Sequence, residues 1–152
     1  MKHSLAIITI LALVLMAGCD GQVRKVAKYM DDTADAIGEV QDVTTDSYEA
    51  GLISREAQRG ILGATLKASL IGNQVVDILK ALEAQGVDKI DASSAGEIIK
   101  LLQAMSDVLD PEVVFEATNI QDLDVKYNVT VGLQAARAAL SAVRAMLEVS
   151  HD

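Results

Sequence analysis

Apolar residues recur at intervals of three and four along most of the chain, and each such stretch is bracketed by residues that start or stop helices. The first runs through Val23, Val26, Met30, Ile37 and Val40 with Thr33 in the gap, while the other face carries Asp31, Asp35, Glu39, Asp42 and Asp46. This pattern predicts an amphipathic helix weakened at Gly38 and ended by Gly51, a residue that can take a left-handed stop conformation. Ser54 then reads as an N-cap, with Glu56 in the first turn of a helix that runs to Gln85 and stops at Gly86. Its seam is Ala57, Ile61, Ala64, Ala68, Ile71, Val75, Ile78 and Leu82, and Leu62, Leu66, Leu70 and Leu79 widen the apolar arc. An arc that wide predicts a helix central to a bundle. Gly60, Ala64, Ala68 and Gly72 lie four apart, a line along which another backbone can approach closely.

A polar linker from Gly86 to Ser93 leads to Ser94 and Glu97, a capping-box pair that predicts a third helix. Its seam is Ile98, Leu101, Leu102, Met105, Val108 and Leu109. Asp110-Pro111-Glu112 ends it, and Pro111 is suited to open a short new helix. The stretch Val113 to Asn119 reads as helical or extended. The last helix begins near Asp122 or Asp124 and runs to Glu148, with Val125, Val129, Leu133, Ala136, Leu140, Val143 and Leu147 on one face. Four arms of roughly 25 to 31 residues joined by short connections predict an all-α, up-down-up-down antiparallel bundle about 40 Å long.

Composition supports this reading. The 152 residues suffice for one domain, hydrophobic residues make up 51%, aromatics only 3%, and Pro occurs once, which disfavours strands and frequent turns.

The segment before the first helix has a different character. Lys2 precedes an apolar run of 13 residues, Leu5 to Ala17, broken only by Thr9. That is shorter than the roughly 20 residues needed to span a bilayer and suits the apolar core of a secretory signal. It closes on Met16-Ala17-Gly18-Cys19. These four residues resemble the lipobox of bacterial lipoproteins, with Met16 where Leu is usual. The resemblance implies that residues 1–18 are a signal peptide and that Cys19 becomes the acylated N-terminus of a lipid-anchored domain, residues 19–152. Asp20 resembles the retention signal for the inner membrane in enteric lipoproteins. The expected location is therefore the periplasmic or extracytoplasmic face of a membrane. Two or more acyl chains are needed for stable anchoring, and diacylglycerylation supplies them.

Charge and chemistry narrow the function. Residues 19–152 hold 12 Lys and Arg against 22 Asp and Glu, a net charge of −10, which repels nucleic acid and anionic headgroups. Attachment is thus expected from lipid on Cys19, with Arg24, Lys25 and Lys28 as a solvated helix face. The histidines are His3 and His151 and the one cysteine is Cys19, so no zinc cluster and no internal disulfide can form. His151 lies at a fraying chain end. No nucleophile elbow, Cys–His pair or phosphate loop is present. A calcium loop counted from Asp31 would place Ala36 where Gly is required and Asp42 where Glu is required. No Glu-x-x-His pair exists for a di-iron bundle. Asn128-Val129-Thr130 matches a glycosylation acceptor that a bacterial export signal makes irrelevant. Gly60 to Val76 carries a single charge, Lys67, but its length and polar residues fit a bundle helix better than a membrane hairpin.

The expectation is a non-enzymatic protein, without cofactor or metal, held to a membrane by Cys19 and binding or scaffolding an unidentified protein partner. The broad class is similar to the small helical lipoproteins of bacteria and their phages; phage origin would imply superinfection exclusion or an accessory role in lysis. The competing reading is a carrier of a small apolar ligand between the helices, which would require an apolar cavity. An enzyme working with carboxylates alone ranks below both.

Overall fold

In the computed structural model, which describes residues 21–149, the periodic stretches form α1 (Gln22–Glu49), α2 (Arg55–Ala84), α3 (Ala92–Val108), α4 (Pro111–Thr118) and α5 (Leu123–Val149). No strand occurs among the described residues. Side-chain register fixes the topology. Gln41 Nε2 donates to Thr65 Oγ1 at 3.1 Å, and Arg55 Nε donates to Tyr48 Oη at 3.2 Å, so α1 and α2 run antiparallel. Gly72 faces Met105 and Gly60 faces Thr118, so α3 and α4 ascend as α2 descends. Arg144 reaches Gln103 while Arg137 reaches Ser106, which sets α5 antiparallel to α3. The helices form a ring in which α1 packs against α2 and α5, and α3 with α4 closes the gap between α2 and α5. The all-α antiparallel bundle is as expected.

Sequence explains the helix ends. Ser54 caps α2 by accepting the Ala57 N–H at 3.1 Å. Asp110 caps α4 at Glu112 N–H, with Pro111 at the first helical position. Asp122 accepts the Val125 N–H at 2.9 Å at the start of α5. Gly51 and Gly86 adopt φ of +73° and +68°. In both turns the residue after the glycine donates to a carbonyl five positions back, Leu52 to Ser47 and Val87 to Leu82, which satisfies orphan carbonyls of the last turn.

Some expectations change. The third arm is two helices of 17 and 8 residues, because Asp110-Pro111 breaks it. Val113 to Thr118 is helical, and Asn119 ends it in a left-handed conformation. The N-cap of α3 is Asp91 rather than Ser94: its carboxylate accepts the Ser93 and Ser94 N–H groups, and the Ser94 hydroxyl donates to it at 2.7 Å. Finally, α2 is not apolar-buried all round. Ala57, Ile61, Ala68, Val75 and Leu82 of the expected seam are buried, joined by Thr65, Gly72, Val76 and Leu79, while Ala64, Ile71 and Ile78 are half-buried and Leu66 and Leu70 exposed at 45% and 57%. At Gly72 the tips of Met105 and Met30 pack where a side chain would stand.

The seam of α5 is buried throughout as the pattern predicts. At Gly132 the Val40 side chain of α1 takes the place a Cβ would occupy. Buried threonines do not disturb this core. Thr33, Thr44 and Thr118 donate to carbonyls four residues earlier, and Thr65 to one three earlier. No buried side-chain polar atom lacks a partner among the described residues.

Candidate functional site

The lipidation candidate, Cys19, lies outside the described residues, as do Met16, Ala17, Gly18, Asp20, His3 and His151. Two positions beyond Cys19 the chain is already in the bundle: Gly21 is the N-cap of α1 and offers no side-chain cap. The turn between α2 and α3 supplies the missing partner: the Val23 N–H donates to the Asp88 carbonyl at 3.3 Å. In return Gln22 Oε1 accepts the Ile90 N–H at 3.0 Å, and Ile90 is buried. A Cβ on Gly21 would lie 3.1 Å from Asp88, so glycine permits this contact. The chain therefore enters the bundle held against the 85–91 turn.

The acidic face of α1 is exposed at Asp32, Asp35, Glu39, Asp42, Asp46 and Glu49. Asp31 sits at the edge of that face, and partial burial, then the charges of Asp35 and Asp32, raise its pKa above the ordinary value. No group of three or more metal-ligating side chains that could hold an ion occurs among the described residues. Gly60 to Val76 belongs to α2, and no described helix is long and apolar enough to cross a membrane.

Three concavities among the described residues open to the surface, and each has charged side chains in its walls. One of about 490 Å³ opens between α4 and α5, lined by Pro111, Glu112, Phe115, Glu116, Lys126 and Thr130. Lys126 Nζ lies 5.2 Å from the centre of the Phe115 ring, a cation–π contact that joins the two helices. A second, of about 170 Å³, lies beside the 85–91 turn between Arg24, Glu83 and Asp88. A third, of about 40 Å³, sits between α3 and α5 near Arg144. Inside, Ile37, Ile61, Ile98, Leu102, Met105, Leu133 and Leu140 are each at most 2% exposed.

Sequence reasoning missed the apolar residues that face outward. Leu52, Leu123 and Tyr127 are 51%, 79% and 68% exposed, and all lie toward the end of the bundle that holds the α1–α2 turn. The available signal was phase: Leu123, Tyr127 and Val131 repeat every four residues, two positions out of step with the buried Val125, Val129 and Leu133.

The fold defines an all-α antiparallel bundle whose connecting turns are short. Comparison with protein-family models, curated proteins and solved structures finds no match.

Proposed function

We propose that this is a lipid-anchored, extracytoplasmic helical bundle that acts without catalysis, by binding or scaffolding a protein partner at a membrane surface. The observation that carries the reading is Met16-Ala17-Gly18-Cys19 directly after a 13-residue apolar run. Gly21, one residue beyond Asp20, is already part of the bundle, so an anchored Cys19 would hold a folded body directly against the bilayer. Attachment to a surface concentrates a binding protein with its partners there. The inner membrane is the proposed location, from Asp20.

The carrier reading draws less support. Its ligand would need an apolar cavity between the helices. The centre of the bundle is instead filled by Ile61, Ile98, Leu102, Met105 and Leu133.

The test is metabolic labelling with a fatty-acid probe in a bacterial host. Wild type should incorporate the label and Cys19→Ser should not, and the variant should accumulate as the unprocessed chain. Labelling that persists in Cys19→Ser, or never appears in wild type, overturns the anchor.

A further inference from the structure

The end of the bundle that meets the membrane is determined by where α1 begins. Only Asp20 separates Cys19 from Gly21, a reach of about 7 Å even when fully extended. Gly21 and Gln22 are fastened to the 85–91 turn through Asp88 and Ile90. The antiparallel register brings the last residue of α5, Val149, to the same end, and sends the α1–α2 turn and the start of α5 to the opposite one. With 28 residues in α1, the two ends are about 42 Å apart.

Charge is distributed in the same sense. Around the 85–91 end, exposed Lys25, Lys28, Lys80, Lys89 and Arg144 nearly balance Asp32, Asp77, Glu83, Asp88, Asp91 and Glu148. At the opposite end exposed Asp42, Asp46, Glu49, Glu56, Glu112, Glu116 and Asp124 outnumber Arg55, Arg59 and Lys126. A negatively charged headgroup layer repels the second end and tolerates the first.

We propose that the protein stands end-on upon a lipid surface, with the 85–91 turn against the headgroups and the tip bearing Leu52, Leu123 and Tyr127 displayed some 40 Å above it. The inference rests on lipidation of Cys19 and adds to it an orientation: the headgroup layer is the partner of the 85–91 end. The short tether pins this end to the surface, and the acidic far end is the one that negative headgroups repel.

The experiment uses the full lipidated chain in vesicles of phosphatidylcholine and phosphatidylglycerol that contain a headgroup-attached nitroxide quencher. Because lipid occupies the thiol of Cys19, a cysteine introduced at Lys89→Cys or Glu49→Cys is the single labelling site for a fluorophore, and both positions are exposed. Quenching should be several-fold stronger at Lys89→Cys. A flexible eight-residue spacer inserted between Asp20 and Gly21, with a reach of about 16 Å, should shrink the difference. A protein whose lipid is verified by mass, which floats with the vesicles yet is quenched equally at both positions, overturns the orientation and leaves the anchor standing. A difference that the spacer leaves unchanged overturns the tether as its cause. A wild-type chain that carries no lipid and does not float overturns anchor and orientation together.

Discussion

The α1–α5 pair and the α3–α4 arm solve the same packing task by opposite means. The first pair is two unbroken helices of 28 and 27 residues pressed together at Gly132, where there is no room for a Cβ beside Val40. The arm is broken at Asp110-Pro111, and the break is held by polar groups: Asp110 caps α4, accepts Arg137 Nη1 at 2.9 Å, and lies one turn from Ser106, to which Arg137 Nε also donates. One side of the bundle is specified by shape alone, the other by packing, with Thr118 against Gly60, and by hydrogen bonds at a kink. Close packing is intolerant of volume change, whereas partly exposed polar contacts contribute less apiece.

The sharpest way to break this contrast is to hollow the tight side. Leu133→Ala removes a fully buried side chain of α5 and should cost about 2–5 kcal/mol in urea melts followed by circular dichroism. Next, Gly132→Val should cost about 1–3 kcal/mol by forcing α1 and α5 apart. A neutral outcome would show that the pair is looser than its geometry. On the polar side, Asp110→Ala should cost about 0.5–2 kcal/mol, chiefly the lost cap of α4. If it proved worse than Leu133→Ala, the kink rather than the tight pair would organise the bundle. Asp35→Asn, on the exposed face of α1, should change stability by about 0.5 kcal/mol at most. Were it the most damaging of the four, those carboxylates would be an ion-binding site.

The smallest effect is one of pH. The Ser94 hydroxyl and the N–H groups of Ser94 and Ser93 hold the Asp91 carboxyl below its ordinary pKa of 3.8. The unfolded chain therefore takes up that proton first, so this contribution is complete above the ordinary value and lost as pH falls through the lower folded one. Asp31 has the opposite sign: burial, then Asp35 and Asp32, raise its pKa, so protonation relieves it. Acid titration of stability in Asp91→Asn should lose the first component and keep the cap, since Asn also caps helices. An unchanged acid limb would refute the assignment.

Local chemistry was readable from the chain alone. Ser54, Gly51, Gly86 and Pro111 each act as their residue types predict, because capping and left-handed turns depend on a few adjacent positions. The misread features depend on distant partners. Asp91 and Ser94 are both competent caps, and Asp91 prevails in a turn where Ile90 is buried and bonded to Gln22, 68 positions away. In α2 the periodicity found the buried Ala57, Ile61, Ala68, Val75 and Leu82 but also placed the half-buried Ile71 and Ile78 on the seam, and did not place there Gly72, which lies against Met30 and Met105 of other helices. Composition could not locate the exposed Leu123 and Tyr127, since an apolar residue off the main seam looks the same whether it widens the core or faces outward. Of the candidate site, the four residues ending at Cys19 were legible as a motif, while the fastening of Gly21 to the α2–α3 turn required the fold.

That fastening also sets how the protein would carry load. A pull between Gly21 and the α1–α2 turn runs along the axis of α1, parallel to its contacts with α2 and α5. Such a force shears every layer of the interface at once, whereas a pull across the axis would peel the helices apart one layer at a time. Resistance to forced unfolding follows the rate of unfolding along the loaded direction rather than equilibrium stability. A bundle gripped at one end of α1 and pulled at the other is thus loaded along its stiff direction.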